Sequence, residues 1–151
     1  MYHILKIFWE PKLIEKFIEI ANLSGVEVKI VKNIDFLNEF GLNTFLDYDS
    51  NKDVGFIKAL SGATESASAV INIPKREKLK SILTSKTLYI SVENSSLRST
   101  LSEAYFFAKQ KCQDEYMLFI SGESKTADIE KTLVSGVQGP EKIIFLILDK
   151  S

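Results

Sequence analysis

The sequence predicts an α/β fold, a three-layer sandwich built on a mostly parallel sheet. Three observations carry this. Apolar or alternating segments of strand length recur at 26–31, 54–60, 69–73, 87–92, 116–120 and 143–149. Stretches whose apolar residues repeat at helical spacing lie between them. The runs 116–120 and 143–148 are almost continuously apolar, as strands covered on both faces are. Alternation of the two element types implies parallel pairing through right-handed crossovers.

In chain order, Pro11 suits the first position of a helix, where its missing N–H is not needed. Leu13, Ile14, Phe17, Ile18 and Ala21 follow at helical spacing, and Gly25 suits the left-handed residue that ends such a helix. Alternation at 26–31 predicts a strand. Asp35 can cap a short helix carrying Phe36, Leu37 and Phe40, stopped by Gly41. A strand at 44–48 runs into the polar loop 47–53. Strand 54–60, the small and polar connection 61–68, and strand 69–73 come next, the last stopped by Pro74. A helix over 75–83 precedes strand 87–92. Ser95 or Ser96 is expected to cap the longest helix, with Leu97, Leu101, Ala104, Tyr105, Ala108 and Cys112 along one face. That places Cys112 against the core rather than in a nucleophile's position. Strand 116–120 leads to a helix starting near Ser124, with Ile129, Leu133 and Val134 on its buried stripe, and 143–149 is the final strand.

The totals fit one domain spanning 1–151. The chain has 151 residues, 45% hydrophobic and 26% charged, with no composition break or internal repeat. Its 19 basic and 20 acidic residues give net charge −1, which leaves no excess of positive charge for nucleic acid. The single cysteine excludes an internal disulfide and any cysteine-only metal or iron–sulfur site held by this chain alone. The expectation is therefore no cofactor of its own and a reducing, cytoplasmic setting. Residues 4–9 are apolar apart from Lys6, but Glu10 and Pro11 interrupt them. No run approaches the ~20 apolar residues of a membrane span. His3, the only histidine, supplies neither a catalytic triad nor a metal site.

Two segments could carry chemistry. In 119–130 an apolar strand enters a loop with Ser121, Gly122, Ser124, Lys125 and Thr126 before the expected helix. Free N–H groups and partial positive charge at a helix start suit a phosphate or carboxylate, and Gly122 allows close approach. Plain capping of a strand–turn–helix unit uses the same residues. In 62–68, Gly62, Thr64 and Ser66 surround one carboxylate, Glu65, which could act as a base or accept a hydroxyl. A solvated turn residue reads the same way.

Together these segments resemble the LUD family (lactate-utilisation protein C-like, formerly DUF162). The run Ile120-Ser-Gly-Glu-Ser-Lys-Thr-Ala-Asp-Ile-Glu130, followed by Gly136-Val-Gln-Gly-Pro140 and an apolar strand, is similar to that family's closing signature. Thr64-Glu-Ser-Ala-Ser68 resembles its Ala-Glu-Thr-Gly-Thr turn. The likeness covers about 54–149 and is strongest over 119–149. It implies a fold similar to the NagB/RpiA/CoA-transferase group. It also implies that Glu65 matches the turn glutamate, and that Gly122, Ser124, Thr126, Asp128 and Glu130 match the second motif. Four positions differ: Glu123 stands for a usual proline, Lys125 for arginine, Ala67 for the turn glycine and Gln138 for histidine. An acid at 123 weakens attraction for an anion, and Gln138 removes a proton carrier.

The resemblance implies an accessory or small-anion-binding component linked to lactate or 2-hydroxy-acid utilisation. The ligand-binding set would be Gly62, Thr64, Ser66, Ser121, Gly122, Ser124, Lys125 and Thr126, with Glu65 as the catalytic candidate. Its partners would be a small anionic metabolite, iron–sulfur protein subunits, and further copies of the chain. Two alternatives stand beside it: a divergent stand-alone enzyme of CoA-transferase-like fold using Glu65, and an inert partner-docking subunit.

Overall fold

The computed structural model describes residues 12–35, 46–49, 53–72, 84–112, 117–121, 125–128 and 140–149, with backbone alone at 46–49 and 125–128. Helix α1 (Leu13–Leu23) opens the described chain. Its apolar residues at helical spacing bury Phe17 and Ala21, and Gly25 ends the turn beyond it at φ 78. Strands β1 (Glu27–Val31), β2 (Leu46–Asp49) and β3 (Val54–Lys58) follow. After β4 (Ser61–Ala63), a 3₁₀ turn at Thr64–Ser66 and β5 (Ser68–Asn72) come β6 (Thr87–Glu93), a second 3₁₀ turn and β7 (Leu97–Arg98). Helix α2 (Leu101–Lys111), β8 (Met117–Ser121), β9 (Lys125–Asp128) and β10 (Lys142–Leu148) complete the described chain.

The strands form two sheets. The first, in order β1-β10-β6-β3-β2, is parallel except for its edge strand β2. The second, in order β7-β4-β5-β8-β9, is antiparallel except for the short β4–β7 pair. Four of the six strands expected from the sequence share the parallel sheet. The other two, 69–73 and 116–120, pair with each other in the second sheet. Chain length explains the place of β5: parallel neighbours need a crossover of a dozen or more residues, and only four residues separate β4 from β5.

Alternation along each strand sorts side chains into three clusters. Leu88, Ile90 and Val92 of β6 and Ile143, Phe145 and Ile147 of β10 face inward. They meet Ala69, Ile71, Leu118 and Ile120 of the second sheet, with Phe17 and Ala21 of α1. Phe17 and Phe145 contact edge to face, centroids 5.2 Å apart. Val54, Phe56, Ile144 and Leu146 fill the other face of the first sheet. Val70 and Met117 on the outer face of the second sheet pack under Ala104 and Ala108 of α2.

Three local expectations are corrected. Residues 125–128 are strand β9, paired with β8 from Ser121↔Lys125 to Leu118↔Asp128, not the first turn of a helix. Gly and Ser signal a hairpin turn as well as a helix cap, and pairing satisfies the edge of the apolar β8. Thr100, not Ser95 or Ser96, caps α2: Glu103 N donates to Thr100 Oγ1 at 3.1 Å and Thr100 Oγ1 to Glu103 Oε1 at 3.0 Å. Leu97 therefore lies on β7 and in the inter-sheet core, while Leu101, Ala104, Tyr105, Ala108 and Cys112 share the helix face as expected. Third, the polar loop expected from 47 is strand through Asp49. The helices expected at 36–40, 75–83 and around 129–134, with His3, lie outside the described residues. Among those described, no helix is long and apolar enough to cross a membrane.

Candidate functional site

The two segments singled out in the sequence are neighbours in space. β5 carries the end of the first and pairs with β8, which carries the start of the second, so Ser68 lies opposite Ser121. β9 then lies beside β8, with Thr126 opposite Ile120. In-register residues point to one face, which places Ser68 and Ser121 on the α2 side with Val70 and Phe119. Ser66 and Ser68 join by a 2.8 Å hydroxyl–hydroxyl bond. Three of the hydroxyls thus form a row at one end of the second sheet.

Glu65 stands beside that row, exposed, in the 3₁₀ turn. Its N–H donates to Ser99 O at 3.0 Å, and its Oε2 accepts from Leu101 N at 2.6 Å. Leu101 is the first residue of α2, so the carboxylate occupies the positive end of the helix dipole and satisfies an amide with no partner inside the helix. The turn closes through Ala67, at φ 47 and ψ 53, the left-handed region that favours glycine. That is the position where the resembled family's turn has glycine.

Beside the helix start, Leu101, Ser102, Tyr105, Phe106 and Phe119 line an open cavity of about 270 Å³ with mainly apolar walls. Phe106 is 66% exposed at its rim. A second cavity, of about 260 Å³, lies at the opposite, amino ends of β1 and β10, between Ser24–Glu27 and Pro140–Ile143. The first lies beside the Glu65 carboxylate and both sequence segments, which favours it as the candidate site.

The remaining candidates divide. Gly62 is packed inside: a Cβ there would meet Leu97 Cδ2 at 2.7 Å and Val92 Cγ1 at 3.2 Å, so its missing side chain admits the core. Thr64 is buried and its Oγ1 has no hydrogen-bond partner. Lys125 and Thr126 sit on β9, and Gly122 and Ser124 lie outside the described residues. Cys112 is half-buried and its Sγ accepts from Asn72 Nδ2 at 2.9 Å. Among the described residues no group of three or more His, Cys, Asp and Glu could hold a metal ion. Sequence reasoning missed the start of α2 as part of the site. The Thr100-x-x-Glu103 spacing was the signal that could have placed it.

The model of the LUD domain matches residues 43–148. "Lactate utilization protein C" of Anoxybacillus flavithermus (strain DSM 21510 / WK1) is 25% identical over 136 residues, covering 79% of this chain. The match spans 62% of that protein's length. "Uncharacterized protein YkgG" of Escherichia coli (strain K12) is 27% identical, with 93% of this chain and 71% of that protein covered. A crystal structure of a DUF162 family protein from Deinococcus radiodurans superposes with TM-score 0.63 at 11% identity, over 91% of this chain and 96% of the other. That likeness shows a shared fold.

Proposed function

The chain belongs to the LUD domain family, and from that premise we propose that it is a small-anion-binding component of lactate or 2-hydroxy-acid utilisation. The observation that carries this is the convergence of both motif segments at the start of α2. Glu65, Ser66, Ser68 and Ser121 meet there beside an apolar cavity. A short hydroxy acid has three parts that this arrangement can address. The serine hydroxyls can donate to its carboxylate, Glu65 can accept from its hydroxyl, and the aromatic walls can take its carbon chain. The name of the Anoxybacillus relative points the same way.

Glu65 also holds α2, so its role in the proposal is to position the ligand's hydroxyl while fixing the helix. As a base it would take a proton from that hydroxyl. That carboxylate already accepts from Leu101 N, a bond that a proton-transfer role would disturb. Binding is accordingly the primary reading. Iron–sulfur protein partners belong to the same proposal, since this chain has a single cysteine.

Calorimetric titration of the purified chain with L-lactate and pyruvate tests the reading. Saturable heat that disappears in Ser121→Ala or Glu65→Gln supports it. No heat and no thermal shift with either acid would overturn it.

A further inference from the structure

The carboxyl ends of the parallel strands β3 and β6 carry charge that the α2 cavity does not use. β3 ends at Lys58, directly across from Ser91 of β6, so both side chains leave the same face. Ser91 is fully buried, and its Oγ has no hydrogen-bond partner. Close by, α2 ends at Lys111, whose Nζ donates to Leu60 O at 3.3 Å and Ser96 Oγ at 3.0 Å. Arg98 Nη1 donates to Ser95 O at 3.0 Å and Leu97 O at 2.8 Å. Phe107 gathers the two cations: Arg98 Cζ lies 3.9 Å and Lys111 Nζ 4.6 Å from its ring centroid.

Burial pushes the Lys111 ammonium below the ordinary lysine range. Glu93 opposes that shift, and Lys58 and Arg98 add to it. Among the described residues, three cations around one acid leave a local excess of two positive charges. Among the described residues, none of the three is seen in an ion pair with a carboxylate, whereas Lys29 pairs with Glu27. Like charges held together in this way gain from an anion between them.

We propose that Lys58, Arg98 and Lys111, with the Ser91 hydroxyl beside Lys58, form a second ligand site that takes a doubly charged phosphate group. Its position follows the rule for open parallel sheets, where ligands bind outside the carboxyl ends of strands. Its residue types follow phosphate chemistry, in which the guanidinium fork and the lysine point charge both serve. Its charge selects the class: a dianion neutralises the excess, whereas a monocarboxylate leaves one positive charge unmatched. Free phosphate and a phosphorylated metabolite share this chemistry.

The test titrates the full chain with inorganic phosphate and with glycerol 3-phosphate, against sodium chloride at matched ionic strength, by thermal shift and amide chemical shifts. Saturable stabilisation by phosphate but not chloride is expected. Lys58→Met should weaken it at least about tenfold, the loss of one charge-assisted hydrogen bond. Lys58 is exposed and fixes no described backbone group, so this variant folds even if Lys111→Met does not. Any L-lactate binding at the α2 cavity should persist in Lys58→Met, so the two sites can fail separately. Tighter binding of glycerol 3-phosphate supports a phosphorylated metabolite as the source, and the reverse supports free phosphate. Phosphate acting no differently from chloride, or Lys58→Met binding like the wild type, would overturn the proposal.

Discussion

Every residue of β10 from Ile143 to Leu148 is buried, and so is every residue of β5 from Ser68 to Asn72. The β10 run is wholly apolar and branched or aromatic, whereas β5 begins in serine, ends in asparagine and carries alanine between. The first sheet uses bulk to hold two layers together. The second uses small residues to bring a helix close: Ser61 Oγ donates to Ala104 O at 2.6 Å, and Ala63, Ala104 and Ala108 share one cluster. Close approach sets the start of α2 within reach of the Glu65 carboxylate. Equal burial thus serves cohesion in one sheet and placement in the other.

Substitutions can break that contrast. Phe145→Ala, in the first sheet, should cost ~3–5 kcal/mol in urea unfolding, since it empties a fully buried site and loses the Phe17 contact. A smaller loss would mean that the sheets are less tightly joined than they look. Gly62→Ala, in the second, should cost about 1–3 kcal/mol by overpacking against Leu97. An unchanged melting temperature would show that β7 yields, and that Gly62 is open to another role. Thr100→Ala should cost ~0.5–2 kcal/mol through the cap of α2. If the resulting loss of amide protection spread to β10, the division between the sheets would fail.

Much of this contrast was legible in the sequence and part was not. β1, β3, β6 and β10 announce themselves because alternation and apolar runs are local signals. The assignment of 69–73 to a different sheet depends on connection length, which was present in the spacing: the eight residues from 61 to 68 cannot hold a crossover. The strand at 125–128 was hidden, because glycine and serine in sequence signal a helix start as readily as a hairpin. The meeting of Ser68 with Ser121 required the pairing of β5 with β8, and no local pattern records it. The approach of Arg98 to Lys111 over Phe107 is likewise a product of the fold.

Two smaller effects sharpen the picture. Lys111 has a folded pKa below its ordinary 10.5, so the folded chain binds fewer protons than the unfolded chain between the two values. Stability should therefore rise as pH increases through that window, and Lys111→Met should remove the rise in urea titrations. Ala67→Gly should change stability least, within about 0.5 kcal/mol. Release of the left-handed strain, roughly 1 kcal/mol, is offset by loss of a buried methyl worth ~0.8 kcal/mol. A clear gain in melting temperature would show that the turn stores more strain than its methyl returns.

The place of β10 in the first sheet has a consequence for synthesis on the ribosome. β10 lies between β1 and β6 and comes after all the other described strands in the chain. Until residues 142–148 emerge, β1 has no partner in the sheet and one edge of β6 stays open. Until then the nascent chain carries open the two parallel-sheet edges that β10 will cover. The interval is lengthened because β1 and β10 are more than a hundred residues apart, and pairing at such separation is slow. Exposed edges of this kind attract other strands, so the nascent chain should depend on holding factors until β10 closes the gap.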